Sequence, residues 1–278
     1  MSVETESISF RKAMIILIIA LSFLYIPADF FAAIYNGPEH HVPSWFLIAT
    51  CVVKFLASCT ACAIACSIKE DRIDAQDAFL LRGAFSFLVG ADFFMVLLSP
   101  VLSNFKCALA DLAKSIGIIL FMVVQTILII RHSRNTRQLY RGTKLQVAKN
   151  VAIEIIIFLC AALPVVAAIY FKTQKSSIVF VAYGIYVIVS LYAAWGTLSR
   201  GFFPRRNAWM IAIGMTCFFL CDFNIGLSLP FPFFSAFVWI FYTPALLLLS
   251  TSGIDFAGKA QPDEAEIEAD RESNPELQ

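Results

Sequence analysis

Residues Ala13–Tyr35, AMIILIIALSFLYIPADFFAAIY, form an apolar run of 23 residues with a single charge, at Asp29. A helix rises about 1.5 Å per residue, so this run is long enough to cross a hydrocarbon layer roughly 30 Å thick. Inside hydrocarbon each backbone polar group must be satisfied within its own segment, which leaves the helix as its conformation. The run is too long for a signal-peptide core and lacks a clear small-residue cleavage site. Behind the polar, acidic opening MSVETESISF it reads as a retained first helix.

Working outward from it, seven further stretches meet the same length requirement. The eight spans fall near 11–35, 44–68, 77–99, 106–131, 149–171, 177–199, 207–228 and 232–252. Turn residues punctuate them at Asn36-Gly37-Pro38, Ser99-Pro100, Gly201 to Pro204, and Pro230 to Pro232. The composition agrees, with 59% hydrophobic and 15% charged residues in 278, against roughly 25% charged in soluble domains. The expected fold is therefore all-α, a polytopic membrane bundle of about eight helices. Residues 1–10 form an N-terminal tail and 11–252 the membrane domain. The acidic segment 253–278, without apolar period, forms a disordered tail.

Lys and Arg partition unequally between the two sets of helix ends. One set collects Arg11, Lys12, Lys69, Arg72, Arg200, Arg205, Arg206, Lys259, Arg271 and the cluster from Arg131 to Lys149, fifteen in all. The opposite set has Lys106, Lys172 and Lys175. The positive-inside rule then places both termini in the cytoplasm, and the pattern fits a cell membrane or the endoplasmic reticulum equally. The near-neutral net charge of +1 excludes the concentrated basic face that nucleic acid requires. The cysteines, among them Cys51, Cys59, Cys62, Cys66, Cys160, Cys217 and Cys221, lie in apolar runs as small hydrophobes. Cys59, Cys62 and Cys66 read with Ser58 and Ala63 as one small-residue packing seam.

A charge at mid-bilayer costs about 2.5–3.5 kcal/mol on insertion scales, so intramembrane ionisable residues point to function. Asp29, Lys54, Asp92, Asp111, Lys114 and Asp222 all fall in the non-cytoplasmic half, with Glu154 the exception. Asp111 and Lys114, spaced i,i+3 at a helix start, read as a local pair. Asp92 and Asp222 differ, since each is embedded in Phe and Leu, in FLVGADFFMVLLSP and FFLCDFNIGLSLP, about 10 Å inside an outer helix end. The two segments resemble each other, with Asp-Phe followed by proline eight residues past the Asp, at Pro100 and Pro230. A parallel repeat would turn both acids toward one chamber. The three histidines, His40, His41 and His132, fall in expected loops, so no Ser-His triad or HExxH zinc site is built in the membrane. His40 and His41 would overhang the chamber as solvated loop. No glycine-rich phosphate loop is present.

These landmarks together resemble the YhhN-type lysoplasmalogenase family of polytopic membrane proteins, over most of residues 20–250. GMTCFFLCDF, Gly214 to Phe223, is similar to the family's penultimate-helix pattern, with Asp222 at the acid and Cys221 where Ser is usual. FLVGADFF resembles its Leu-Gly-Asp segment, with Asp92 at the acid, and Lys54 in VVKFLAS falls at its Lys-Pro-Leu-Thr. Asp29 sits where some members carry an acid, and Tyr242 matches an aromatic of the last helix. Two departures stand out. Ile116 and Ile119 occupy the places of a His and a Tyr, and Pro244-Ala245 follows the last-helix aromatic.

The resemblance implies hydrolysis of the vinyl-ether bond of lysoplasmalogens, giving an aldehyde and a glycerophospho-alcohol, with a membrane lipid as substrate and no cofactor. Enol-ether hydrolysis wants one protonated carboxylic acid and one carboxylate, roles that Asp92 and Asp222 can divide. Lys54 would hold the second acid ionised or contact the lipid phosphate, with Asp29, Tyr242 and Asn224 in the same substrate-binding shell. The alternatives are a proton-coupled carrier using the same acids, and an inert scaffold of the same family, which the loss of His and Tyr would favour. No metal site is expected.

Overall fold

The computed structural model describes residues 3–35, 42–69, 71–136, 149, 152, 178–228 and 231–256. Its elements are α1 (Val3–Tyr35), α2 (Ser44–Ser67), α3 (Ala75–Asp92), a π-helical segment (Phe93–Leu98), α4 (Ser99–Asn104), α5 (Leu109–His132), α6 (Ile178–Arg200), α7 (Arg205–Ser228), a 3₁₀ segment (Pro232–Phe237) and α8 (Val238–Thr251). Six described helical stretches are long and apolar enough to cross a membrane: Ile8–Tyr35, Ser44–Ser67, Ala75–Asn104, Leu109–His132, Arg205–Ser228 and Pro232–Thr251. The chain is thus a multi-pass helical membrane protein. Apart from positions 149 and 152, the expected span at 149–171, with Glu154 and Cys160, lies outside the described residues, as do His40, His41 and the tail beyond Phe256.

The third span departs from its expected end. Ser99-Pro100 does not turn the chain; the helix runs on to Asn104. In a regular α-helix the Pro100 ring would clash with the preceding turn and leave a carbonyl unpaired. Here the ladder has already widened, with Ser99 N–H donating to the Phe94 carbonyl, five residues back, and proline enters at the start of α4. The turn at Gly201 does form, with φ of 65°, a left-handed conformation that suits glycine.

The described helices pack as a ring. Each of α1, α2 and α3 lies on the next, α3 on α5, and α5 through α8 in succession, with α8 closing against α1 and α2. Small residues set the close approaches. On α2 the buried seam is Ala57, Ser58, Ala61 and Ala65, whereas Cys59 and Cys62 flank it and Cys66 is exposed. The expected cysteine seam is therefore displaced to the neighbouring face. On α5, a Cβ at Gly117 would fall 2.2 Å from Met95 Cγ and 3.1 Å from the Ala91 carbonyl, so only glycine lets α5 approach the π segment this closely.

One end of the ring carries Arg131, Arg134, Arg200 and Arg206, and it is closed by buried polar contacts. Arg131 grips Asp77 through both carboxylate oxygens, at 2.8 and 2.9 Å, and donates Nη1 to Ser252 Oγ at 2.8 Å. Asn207 Nδ2 donates to the Ser252 and Ile254 carbonyls at 2.9 and 2.6 Å. Residues 253–256, expected in the disordered tail, are ordered here. Ile73 N–H donates to the Gly253 carbonyl at 3.2 Å and Asp255 N–H to that of Asp71 at 2.7 Å. His132, expected in a loop, is the last residue of α5 and fully buried, its carbonyl accepting from Arg200 Nη1 at 2.7 Å.

Candidate active site

Helix register places the two acids at one depth. Asp92 lies fifteen residues along α3 from Asp77, and Asp222 fifteen along α7 from Asn207. Asp77, through Arg131, and Asn207 both converge on Ser252. Both acids therefore sit about 22 Å from the basic end. Tyr242, whose hydroxyl binds Asp92, packs edge-on against Phe218 of α7, ring centres 5.6 Å apart, and Phe218 lies one helical turn before Asp222. The two acids face one region between α3, α7 and α8.

Their surroundings differ. Asp92 is 1% exposed, and its Oδ2 accepts hydrogen bonds from Ser58 Oγ at 2.5 Å and Tyr242 OH at 2.7 Å. Its Oδ1 is buried and has no hydrogen-bond partner among the described residues. Asp222 is partly exposed, and its Oδ2 accepts from Tyr183 OH at 2.8 Å. Each acid thus meets a tyrosine hydroxyl from another helix. A hydroxyl can donate to a carboxylate and stay in place when the acid is protonated, so these partners are compatible with proton exchange.

Asp29 and Lys54 form a second group. Lys54 Nζ lies 2.5 Å from Asp29 Oδ1, both side chains 13% exposed, and sits 5.3 Å from the centre of the Trp239 ring. Lys54 precedes Ser58, the serine that binds Asp92, by one helical turn on α2, roughly 6 Å of rise between the two backbone positions. Trp239 packs edge-on against Tyr242, ring centres 4.9 Å apart, and against Tyr25 at 5.1 Å. An aromatic wall therefore joins the ion pair to the Asp92 hydroxyl shell. Asn224 is buried, and its Nδ2 donates back to the Leu220 carbonyl at 2.7 Å. Asp111 and Lys114 are both exposed at the start of α5.

Sequence reasoning missed Ser58 as an Asp92 ligand, Tyr183 on Asp222, and the buried Gln125 of α5. The i,i+4 spacing of Lys54 and Ser58 was the one available signal. A cavity of about 390 Å³ lies elsewhere, at the α6–α7 corner beside Thr197, Arg205 and Trp209, and contains neither acid. Among the described residues no cluster of three His, Cys, Asp or Glu side chains is arranged to hold a metal ion. No protein-family model, curated protein or solved structure matches the chain.

Proposed function

We propose that the protein is an intramembrane hydrolase acting on the vinyl-ether bond of lysoplasmalogens, with Asp92 as acid and Asp222 as carboxylate. The observation that carries this reading is the pair of acids at one depth, one sealed and one partly open, each held by a tyrosine. Because both donors to Asp92 converge on Oδ2, its proton belongs on the unpartnered Oδ1. That proton passes to the β-carbon of the enol ether, and the positive charge moves to C1 and the ether oxygen. Asp222 stabilises this oxocarbenium ion and takes a proton from the water that attacks C1. As the hemiacetal collapses, Asp222 returns its proton to the departing glyceryl oxygen and Asp92 recovers one from the hemiacetal hydroxyl. Aldehyde and alcohol leave with both acids restored.

In this reading Lys54, one turn from Ser58 and paired with Asp29, also contacts the lipid phosphate as a point charge. Lys54→Met then raises KM several-fold and leaves kcat nearly unchanged, because the phosphate contact is made equally before and during reaction. The inert-scaffold alternative draws on Ile116 and Ile119. Ile119 is 56% exposed on the outer side of α5, so no chamber group is missing there. A carrier needs a route through the basic end, where the fully buried Asp77–Arg131 pair sits.

The test is aldehyde release from lysoplasmenyl-choline and lysoplasmenyl-ethanolamine by the purified protein in detergent. Release that disappears in both Asp92→Asn and Asp222→Asn supports the assignment. A well-folded wild type that releases no aldehyde from either lipid removes it.

A further inference from the structure

The cavity of about 390 Å³ at the α6–α7 corner takes no part in the chemistry above. Among its lining residues, Thr197, Phe203 and Ala208 are buried, whereas Arg205 and Trp209 are exposed, so it opens at the surface. Thr197 Oγ1 donates to the Ala194 carbonyl at 2.6 Å and reaches that of Ala208 at 3.5 Å, which ties the two helices together at the cavity. Arg205 opens α7 and Asp222 follows it by seventeen residues, about 26 Å of helix rise.

The neighbouring arginines are committed. Arg131 pairs with Asp77, Arg134 with Asp74 and Arg11 with Asp71, while the Arg206 guanidinium covers the Phe256 ring at 4.0 Å. Arg205 has no hydrogen-bond, ion-pair or ring partner among the described residues, and no carboxylate lines the cavity. An unanswered positive charge at the mouth of a cavity suits an anion.

The face beside it says which kind. Arg205, Trp209 and Ile213 stand four residues apart on α7 and are all exposed, Trp209 by 42% and Ile213 by 45%. They form one stripe, since residues at i and i+4 share a helix face. Because α7 is a membrane-spanning length, the stripe runs from the helix end inward as guanidinium, indole and aliphatic side chain. A phospholipid presents the same order, as phosphate, glycerol ester and acyl chain, and Trp and Arg are the residues that settle at that boundary. Trp209 is braced edge-on by Trp195, ring centres 6.1 Å apart, whose Nε1 donates to Thr216 Oγ1 at 3.0 Å.

We propose that the α6–α7 corner binds one anionic phospholipid, with Arg205 holding the phosphate, Trp209 beside the glycerol esters and Ile213 along an acyl chain. A zwitterionic lipid fits less well, because its ammonium would share the cavity with a guanidinium and meet no acid. A free phosphate would leave Trp209 and Ile213 unused. The site is remote from Asp92 and Asp222 and does not depend on the hydrolase reading.

The experiment is native mass spectrometry of the full-length protein in detergent, counting retained phosphatidylglycerol or phosphatidylcholine of matched acyl chains at set concentrations. The expected result is one phosphatidylglycerol held more tightly than phosphatidylcholine. Arg205→Gln should weaken it about tenfold, the size of a lost hydrogen bond to a charged group, and Arg206→Gln, the same charge change next door, less than about twofold. Equal retention of the two lipids overturns the proposal. So does equal weakening in the two variants, which would mean diffuse charge rather than a site. Excess inorganic phosphate should leave the lipid bound; displacement that depends on Arg205 assigns the cavity to a free anion and overturns the lipid. Should Arg205→Gln fail to fold, Trp209→Ala is read instead: lost phosphatidylglycerol affinity supports the site, and unchanged affinity overturns it.

Discussion

Asp77 and Asp92 lie fifteen residues apart on one continuous helix, both buried to within 1% of complete, and the bundle treats them in opposite ways. Asp77 meets the two-pronged guanidinium of Arg131, which neutralises it and satisfies both of its oxygens. The described partners of Asp92 are two hydroxyls on a single oxygen. A buried acid closed by a cation is a structural rivet. One closed by hydroxyls on a single oxygen leaves the other without a described partner, and so burial alone does not distinguish the two aspartates; the partners do.

Breaking the rivet should have the largest effect on the fold. Arg131→Met leaves Asp77 buried and uncompensated, and removing one member of a buried ion pair costs about 3–5 kcal/mol. Thermal unfolding in detergent should show this as a large fall in Tm. Adding Asp77→Leu to the same protein should recover most of the loss, since a well-packed apolar pair often replaces a buried ion pair with little penalty. If Arg131→Met alone leaves Tm unchanged, the two aspartates do not differ as described.

The opposite outcome is expected at the other acid. Asp92→Asn should lower aldehyde release by about 10²–10⁴-fold, the range for loss of a general acid. Its Tm should move little, because Asn still accepts the Ser58 and Tyr242 hydrogen bonds. Equal loss of stability in Asp77→Asn and Asp92→Asn would erase the contrast. Tyr242→Phe sharpens it further by removing one of the two donors to Asp92. Since a hydrogen bond to a charged group contributes about 1.5–3 kcal/mol, kcat should fall roughly tenfold or more, with KM nearly constant.

The smallest effect belongs to the half-buried Arg134–Asp74 ion pair at the basic end. The hydrogen bond from Arg134 holds the Asp74 carboxyl below its ordinary value, with the guanidinium charge acting in the same direction. A depressed carboxyl contributes stability above its unfolded value, about 3.9, and that contribution is lost as pH falls through the folded value. Arg134→Gln should therefore leave Tm at pH 7 only slightly lower and narrow the difference in Tm between pH 7 and pH 3. An unchanged difference would mean the pair adds nothing.

Much of this protein was legible in its sequence. Long apolar runs have one conformation in hydrocarbon, so the described spans fall within a few residues of their expected places, the extension through Pro100 apart. Asp29, Lys54, Asp92 and Asp222 were visible as candidates because charge is costly there whatever the fold. The same rule failed for Asp77 and His132. Both sit at helix ends, where a sequence cannot tell a solvated boundary from a buried cap, and both are fully buried.

What only the tertiary structure decided is which group meets which. Lys54 pairs with Asp29, while Asp92 finds Ser58 and Tyr242, and Asp222 finds Tyr183. Ser, Tyr and Gln carry no charge and pass unremarked in an apolar helix, so nothing local reveals whether they face lipid or one another. Their roles depend on helix rotation and register, which are fixed by contacts between residues far apart in the chain. The sequence determined that several charges would lie in the membrane, because that follows from composition and length. Whether a buried aspartate meets a guanidinium or a pair of hydroxyls fell to the packing, because hydrogen bonds depend on distances of a few tenths of an ångström that no single helix encodes.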